Sequence, residues 1–153
     1  MPSYETDDDL AREAAVKDIV ECAWGVWLYK MPKPYRLDFA VYHGDKVVGF
    51  MEVRTRSNAS MAYPTFMMSA AKHEAAKEWA KLGVPTSMVV QFTDGLFVFD
   101  PSSPPDQFAI GGRSKPRDEY DRGLMAHYDT RKLQRFSCDA RFTHTNLQYP
   151  AYR

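Results

Sequence analysis

The run Tyr35-Arg36-Leu37-Asp38-Phe39-Ala40-Val41-Tyr42, followed by His43-Gly44-Asp45-Lys46 and then Val47-Val48-Gly49-Phe50-Met51-Glu52-Val53-Arg54, reads as two strands joined by a tight turn. Both flanks are rich in the β-branched and aromatic residues that favour strands. Gly44 supplies the positive φ that a short hairpin needs, so the strands are expected to pair antiparallel. Each strand carries a carboxylate in an apolar run, and burying an ionised carboxylate is costly unless it is paired or binds a metal. Alternation puts Glu52 and Arg54 on one face of the second strand and Met51 and Val53 on the other. If Asp38 meets Glu52 across the hairpin, two hard oxygen ligands converge with the Val53 carbonyl as a third. That set suits Mg²⁺ or Mn²⁺ better than zinc. Arg54 would add a permanent charge whose forked donors match phosphate oxygens.

Asp, a spacer and then Glu-x-Lys on a hairpin is the signature of the PD-(D/E)XK nuclease superfamily, which this sequence resembles through Asp38 and Glu52-Val53-Arg54. The resemblance extends to an upstream helix acid, Glu21 in Ile19-Val20-Glu21-Cys22-Ala23-Trp24-Gly25, to Tyr63-Pro64-Thr65, to a helix starting near Ser69-Ala70-Ala71-Lys72, and to Val89-Val90-Gln91-Phe92-Thr93-Asp94-Gly95. These features look like the small Holliday-junction-resolvase-like members encoded by tailed bacteriophages. The resemblance implies an α/β fold with a restriction-endonuclease-like core, a central mixed β-sheet flanked by helices in the order α-β-β-α-β-β. It further implies a metal-dependent DNA endonuclease that hydrolyses phosphodiester bonds, with selectivity for branched or junction DNA.

In that reading Asp38, Glu52, Arg54 and Lys72 are the catalytic candidates, and Asp38, Glu52, the Val53 carbonyl and Glu21 are the metal candidates. Arg56, Gln91, Arg113, Lys115 and Arg117 are the DNA-binding candidates. Arg54 departs from the family pattern by replacing its lysine. A guanidinium stabilises charge on phosphate but does not yield a proton at neutral pH. Lys72, in the first turn of the next helix, offers a lysine from another element. The alternative is a nuclease fold that binds DNA or protein for a phage and has lost its chemistry with the lysine. Read without the resemblance, Glu21 is more readily a structural partner of Arg36 than a metal ligand, and Gln91 reads equally as a satisfied buried amide.

The 153 residues have the size and composition of a single soluble domain, with 20 basic and 20 acidic side chains and no net charge. The acidic excess is confined to the first 29 residues, while basic clusters occur at Arg113, Lys115 and Arg117 and at Arg131, Lys132 and Arg135. Phosphate contact is one use of such clusters and a solvated surface is the other. No run is apolar enough to span a bilayer, no secretory signal is read at the start, and Cys22 and Cys138 read as free thiols of a reducing cytoplasm. The expected compartment is therefore the cytoplasm, that of the host cell if the chain is phage-encoded. Cutting both strands of a junction needs two active sites and hence a homodimer.

Periodicity predicts a helix from Asp7-Asp8-Asp9 through about Tyr29, with Trp24, Trp27 and Trp79 in the core. A second helix is expected from Ser69 to Leu82, and a second hairpin over Thr86–Phe92 and Leu96–Asp100. Residues 1–100 are expected to form the nuclease-like core. Pro101-Ser102-Ser103-Pro104-Pro105 is read as the end of the compact part, with residues 101–153 as a weakly periodic extension packed on or near it.

Overall fold

A computed structural model of the chain describes residues 6–32, 35, 37–112 and 122–136. Helix α1 (Asp7–Trp24) begins at a reciprocal cap in which Asp9 N–H donates to Thr6 Oγ1 at 3.1 Å and Thr6 N–H donates to Asp9 Oδ2 at 3.0 Å. It stops where Gly25 adopts φ 66°, a conformation that side chains disfavour. The expected continuation to Tyr29 is thus cut short, and Trp27–Lys30 becomes strand β1. Trp24 is fully buried, whereas Trp27 is 69% exposed and Trp79 38% exposed, so only the first of the three tryptophans belongs to the core.

Strands β2 (Phe39–His43) and β3 (Lys46–Thr55) form the expected hairpin, with Gly44 at φ 65° in its turn. Phe39 pairs with Met51, which sets Asp38 just before β2 at the level of Glu52. Strand β4 (Thr65–Ser69) leads directly into α2 (Ala70–Lys81), whose first turn is capped by Ser69 Oγ accepting from Ala71 N–H. The chain then returns as β5 (Thr86–Phe92), parallel to β3, and turns back as β6 (Gly95–Phe99). The second hairpin therefore forms where the sequence suggested it.

Past Asp100 come β7 (Gln107–Gly112), β8 (Arg122–Asp129), a 3-10 turn (Thr130–Lys132) and β9 (Gln134–Arg135). A six-stranded mixed sheet runs β1-β2-β3-β5-β6-β9, and a three-stranded antiparallel sheet runs β4-β8-β7. Val16, Val20, Ala23 and Trp24 of α1 pack on one face of the large sheet against Phe39, Val41, Met51, Val53, Val89 and Val98. On the other face Met88, Val90, Phe97 and Phe99 meet Phe66 and Met68 of β4 and Ala126 and Tyr128 of β8. β3 is consequently covered on both sides, and Phe50 to Val53 are all buried.

The Pro/Ser-rich stretch does not end the compact part. Tyr128 Oη donates to Pro101 O at 3.0 Å and to Ser103 O at 3.1 Å, while His73 Nδ1 of α2 lies 2.8 Å from Pro101 O. These bonds give the irregular segment buried partners, and β8 and β9 add to both sheets. Strand pairing between distant segments, rather than local periodicity, builds this half of the fold.

Candidate active site

At the end of the β2–β3 pair the backbone and side chains of the two acidic positions interlock. Asp38 N–H donates to Glu52 Oε2 at 3.1 Å, and Val53 N–H donates to Asp38 Oδ2 at 2.8 Å. The two carboxylates thus face one another, as alternation along the hairpin predicts. Glu52 is only 1% exposed and Asp38 17%.

Cations gather on this pair from three elements. From β3, Arg54 Nη2 lies 2.5 Å from Glu52 Oε1, while its Nη1 donates to Val53 O at 2.8 Å and lies 3.6 Å from Asp38 Oδ2. From the first turn of α2, Lys72 Nζ approaches Glu52 Oε1 at 3.1 Å. From β1, Lys30 Nζ stands 3.7 Å from Asp38 Oδ1 and contacts Glu13 Oε1 of α1. Glu52 Oε1 thus carries two cations, Arg54 at 2.5 Å and Lys72 at 3.1 Å.

Burial pushes the Glu52 carboxyl up from its ordinary value and Asp38 adds to that, against the opposing pull of Arg54 and Lys72. Burial pulls the Arg54 guanidinium down, but Glu52 and Asp38 outweigh it and its pKa stands above the ordinary arginine value. Arg54 is therefore a fixed positive charge in this cluster. Glu13 also acts on it through its charge.

The helix acid of the cluster is Glu13, where the sequence pointed to Glu21. Both Glu21 oxygens are taken elsewhere: Oε2 accepts from Leu28 N–H at 2.9 Å and Oε1 pairs with Lys17 at 3.1 Å. Glu21 thereby fastens the end of α1 to β1. A signal for Glu13 exists in the sequence, because it falls three residues before Val16 and seven before Val20, on the stripe that α1 buries. Lys30 carries no comparable signal, since its strand was read as the tail of a helix.

Gln91 also lies apart from the cluster. Strand register places Glu52 beside Met88 and Arg54 beside Val90, whereas Gln91 is beside Thr55 on the opposite face, with Val53 and Val89. Arg56 is anchored on β4, donating from Nη2 to Met67 O at 3.1 Å with its guanidinium 4.8 Å from the centre of the Phe66 ring. Burial, then the Arg54 charge, lowers its pKa. Arg113, Lys115 and Arg117 lie outside the described residues.

Residues 1–136 match the sequence model of a family described as "Phage putative PDDEXK endonuclease". The chain belongs to that family. No curated protein matches it. Among solved structures it is similar to that of Hjc, a Holliday junction resolvase from the archaeal hyperthermophile Archaeoglobus fulgidus, with 12% identity, coverage of 78% of this chain and 87% of that one, and a TM-score of 0.49. The PDDEXK core order is realised here as α1, the β2–β3 hairpin, α2 and the β5–β6 pair, with β1 and β4 inserted between them. The mixed α/β, restriction-endonuclease-like fold expected from the sequence is the fold of this PDDEXK chain.

Asp38, Glu52 and Arg54 are the residues that the sequence sets against the motif, with arginine where the motif carries lysine. Among the described residues no three His, Cys, Asp or Glu side chains gather into a metal-ligand cluster on their own. The two carboxylates and the Val53 carbonyl nevertheless form a set of hard oxygens already seated on a cation, the Arg54 guanidinium. A set that holds one cation in this way fits a divalent one chemically.

Proposed function

We propose that the chain is a divalent-metal-dependent DNA endonuclease acting on phosphodiester bonds, with branched or junction DNA as its preferred substrate. The observation that carries this reading is the meeting of Asp38 and Glu52 at one end of the hairpin, with Arg54 and Lys72 directed at the same carboxylate, in a chain of the PDDEXK endonuclease family. Asp38, Glu52 and the Val53 carbonyl would hold Mg²⁺ or Mn²⁺. Such a cation supplies Lewis acidity to the scissile phosphate and to the attacking water.

The chain's own residues have distinct tasks. Glu52 stays rigid because it is buried, and Asp38 is oriented by the Val53 N–H. Lys72 and Arg54 offset the charge that develops on phosphate. Arg54 is permanently protonated and is not the general base. Lys30, held between Glu13 and Asp38, positions Asp38 from the β1 side. Arg56 and the basic residues Arg113, Lys115 and Arg117 are assigned to DNA contact, which would make binding salt-dependent. Action on both strands of a junction would call for a homodimer, and the protein would act in the cytoplasm, that of the host cell if the chain is phage-encoded.

One observation favours a second reading, that of a DNA-binding module without chemistry: Arg54 is bonded to the very oxygens a metal would need. Labelled linear, flapped and four-way DNA incubated with Mg²⁺ or Mn²⁺ separates the two. Wild type is expected to nick branched DNA. Asp38→Ala should lower cleavage by at least about a hundredfold while retaining binding, and Arg54→Lys should preserve or raise the rate. Cleavage that persists in Asp38→Ala refutes the site, and binding without cleavage in either metal selects the binding module.

A further inference from the structure

Arg54 Nη2 lies 2.5 Å from Glu52 Oε1, and Arg54 Nη1 lies 2.8 Å from Val53 O and 3.6 Å from Asp38 Oδ2. One guanidinium therefore spans the three oxygens assigned above to a divalent cation. It cannot share them. Mg²⁺ draws its oxygens to about 2.0–2.1 Å and needs the same lone pairs that the N–H groups occupy. Two positive charges within a few ångströms of one another also repel, more strongly in a buried setting than in water.

The surroundings make exchange feasible in one direction only. The Arg54 side chain is 33% exposed and that of Glu52 1%, so of the two it is Arg54 that can move toward solvent. Without Arg54, the buried Glu52 carboxylate would keep Lys72 and the Asp38 N–H but lose the cation nearest to it. Either the guanidinium or a metal must fill the position for the hairpin to keep its geometry.

We propose that Arg54 is a resident counter-ion that competes with the divalent cation for the Asp38, Glu52 and Val53 oxygens, so that metal enters only as the guanidinium swings outward. The proposal rests on the reading of Asp38 and Glu52 as the metal site. Its consequence is that the arginine at the lysine position weakens the free enzyme's affinity for metal. It also leaves the displaced guanidinium at the mouth of the site, where a DNA phosphate would meet it.

Titration of Mn²⁺ into the full chain without DNA tests this, read by calorimetry and by the electron paramagnetic resonance signal of unbound Mn²⁺. Arg54→Met removes the competing charge at similar length and is expected to tighten Mn²⁺ binding on the order of tenfold or more. Arg54→Lys should fall between the two, and Lys72→Met, which removes a cation from Glu52 Oε1 but leaves Arg54 on all three oxygens, should gain less than Arg54→Met. Adding Asp38→Asn to Arg54→Met should abolish the gain. Should Arg54→Met be too unstable to titrate, its melting temperature is the readout, and Mn²⁺ should raise it by more than it raises that of wild type. Equal or weaker binding by Arg54→Met beside measurable wild-type binding overturns the competition and leaves the metal site standing. Absence of Mn²⁺ binding in every variant overturns both.

Discussion

Glu52 remains ionisable while 1% exposed because Arg54 and Lys72 reach one of its oxygens and the Asp38 N–H reaches the other. Taken singly, each partner would be a surface cation; together they make a buried charge tolerable. The contrast between Glu13 and Glu21 is of the same kind. Glu13, 10% exposed at its side chain, contacts Lys30 and through it Asp38, whereas Glu21 is spent on Lys17 and Leu28. Glu13→Gln is expected to slow DNA cleavage on the order of tenfold by loosening what orients Asp38. Glu21→Gln should leave the rate within about twofold of wild type and lower the melting temperature instead. Cleavage assays and melting curves on both variants check this, and the reverse pattern would return the helix acid's role to Glu21. At this scale Asp38, Glu52, Arg54 and Lys72 were legible because alternation and one cap position suffice to place them. Glu13 was obscured by a cluster of better-spaced apolar neighbours, among which Leu10 and Ile19 prove to be 42% exposed.

Elements were legible where one local signal settles them. Gly44 sets the turn of the β2–β3 hairpin, Ser69 starts α2, and the β5–β6 hairpin turns at Thr93-Asp94, with Gly95 already paired to Phe92. The end of α1 was misplaced because helical spacing runs on past Gly25, and the left-handed cap overrides it. Asp94 has a further task that spacing does not disclose: its carboxylate accepts from Ser60 N–H at 2.8 Å and from Ser60 Oγ at 2.7 Å, tying the loop after β3 to the β5–β6 turn. The Ser60 hydroxyl, then its N–H, lowers the Asp94 pKa from 3.8. A carboxylate whose folded pKa is depressed stabilises the fold above its unfolded value and loses that contribution as pH falls through the folded one. Asp94→Asn should therefore melt below wild type at about pH 6, with the gap closing as the pH drops below the unfolded carboxylate range. A gap that persists unchanged in acid would show that charge plays no part in this tie.

Across the described residues, those past Asp100 belong to the packed fold. Phe66, Met88, Val90, Phe97 and Phe99 share a cluster with Ala126, Tyr128 and Leu133. A fragment of residues 1–100 would leave that face of the large sheet open and remove the edge strand β9. It is expected to show no cooperative urea transition, and far-UV circular dichroism across a urea series checks this. A cooperative transition would establish residues 1–100 as a self-sufficient unit. Little of this was legible, because β4 and β8 meet through non-local pairing and neither is distinguished by a strong alternating pattern. Among the described residues no helix is long and apolar enough to cross a membrane.

That same pairing sets a timetable. Thr65 lies opposite Asp129, and Ser69, which caps the helix bearing Lys72, lies opposite Met125. Contacts so far apart along the chain form slowly, after hairpins and helices that need only their neighbours. The Asp38–Glu52 hairpin can close early, whereas the β4–β8 pairing on which the start of α2 is seated is expected to come later. If cleavage needs Lys72 in place, a nascent chain is expected to gain it only after β8 has left the ribosome.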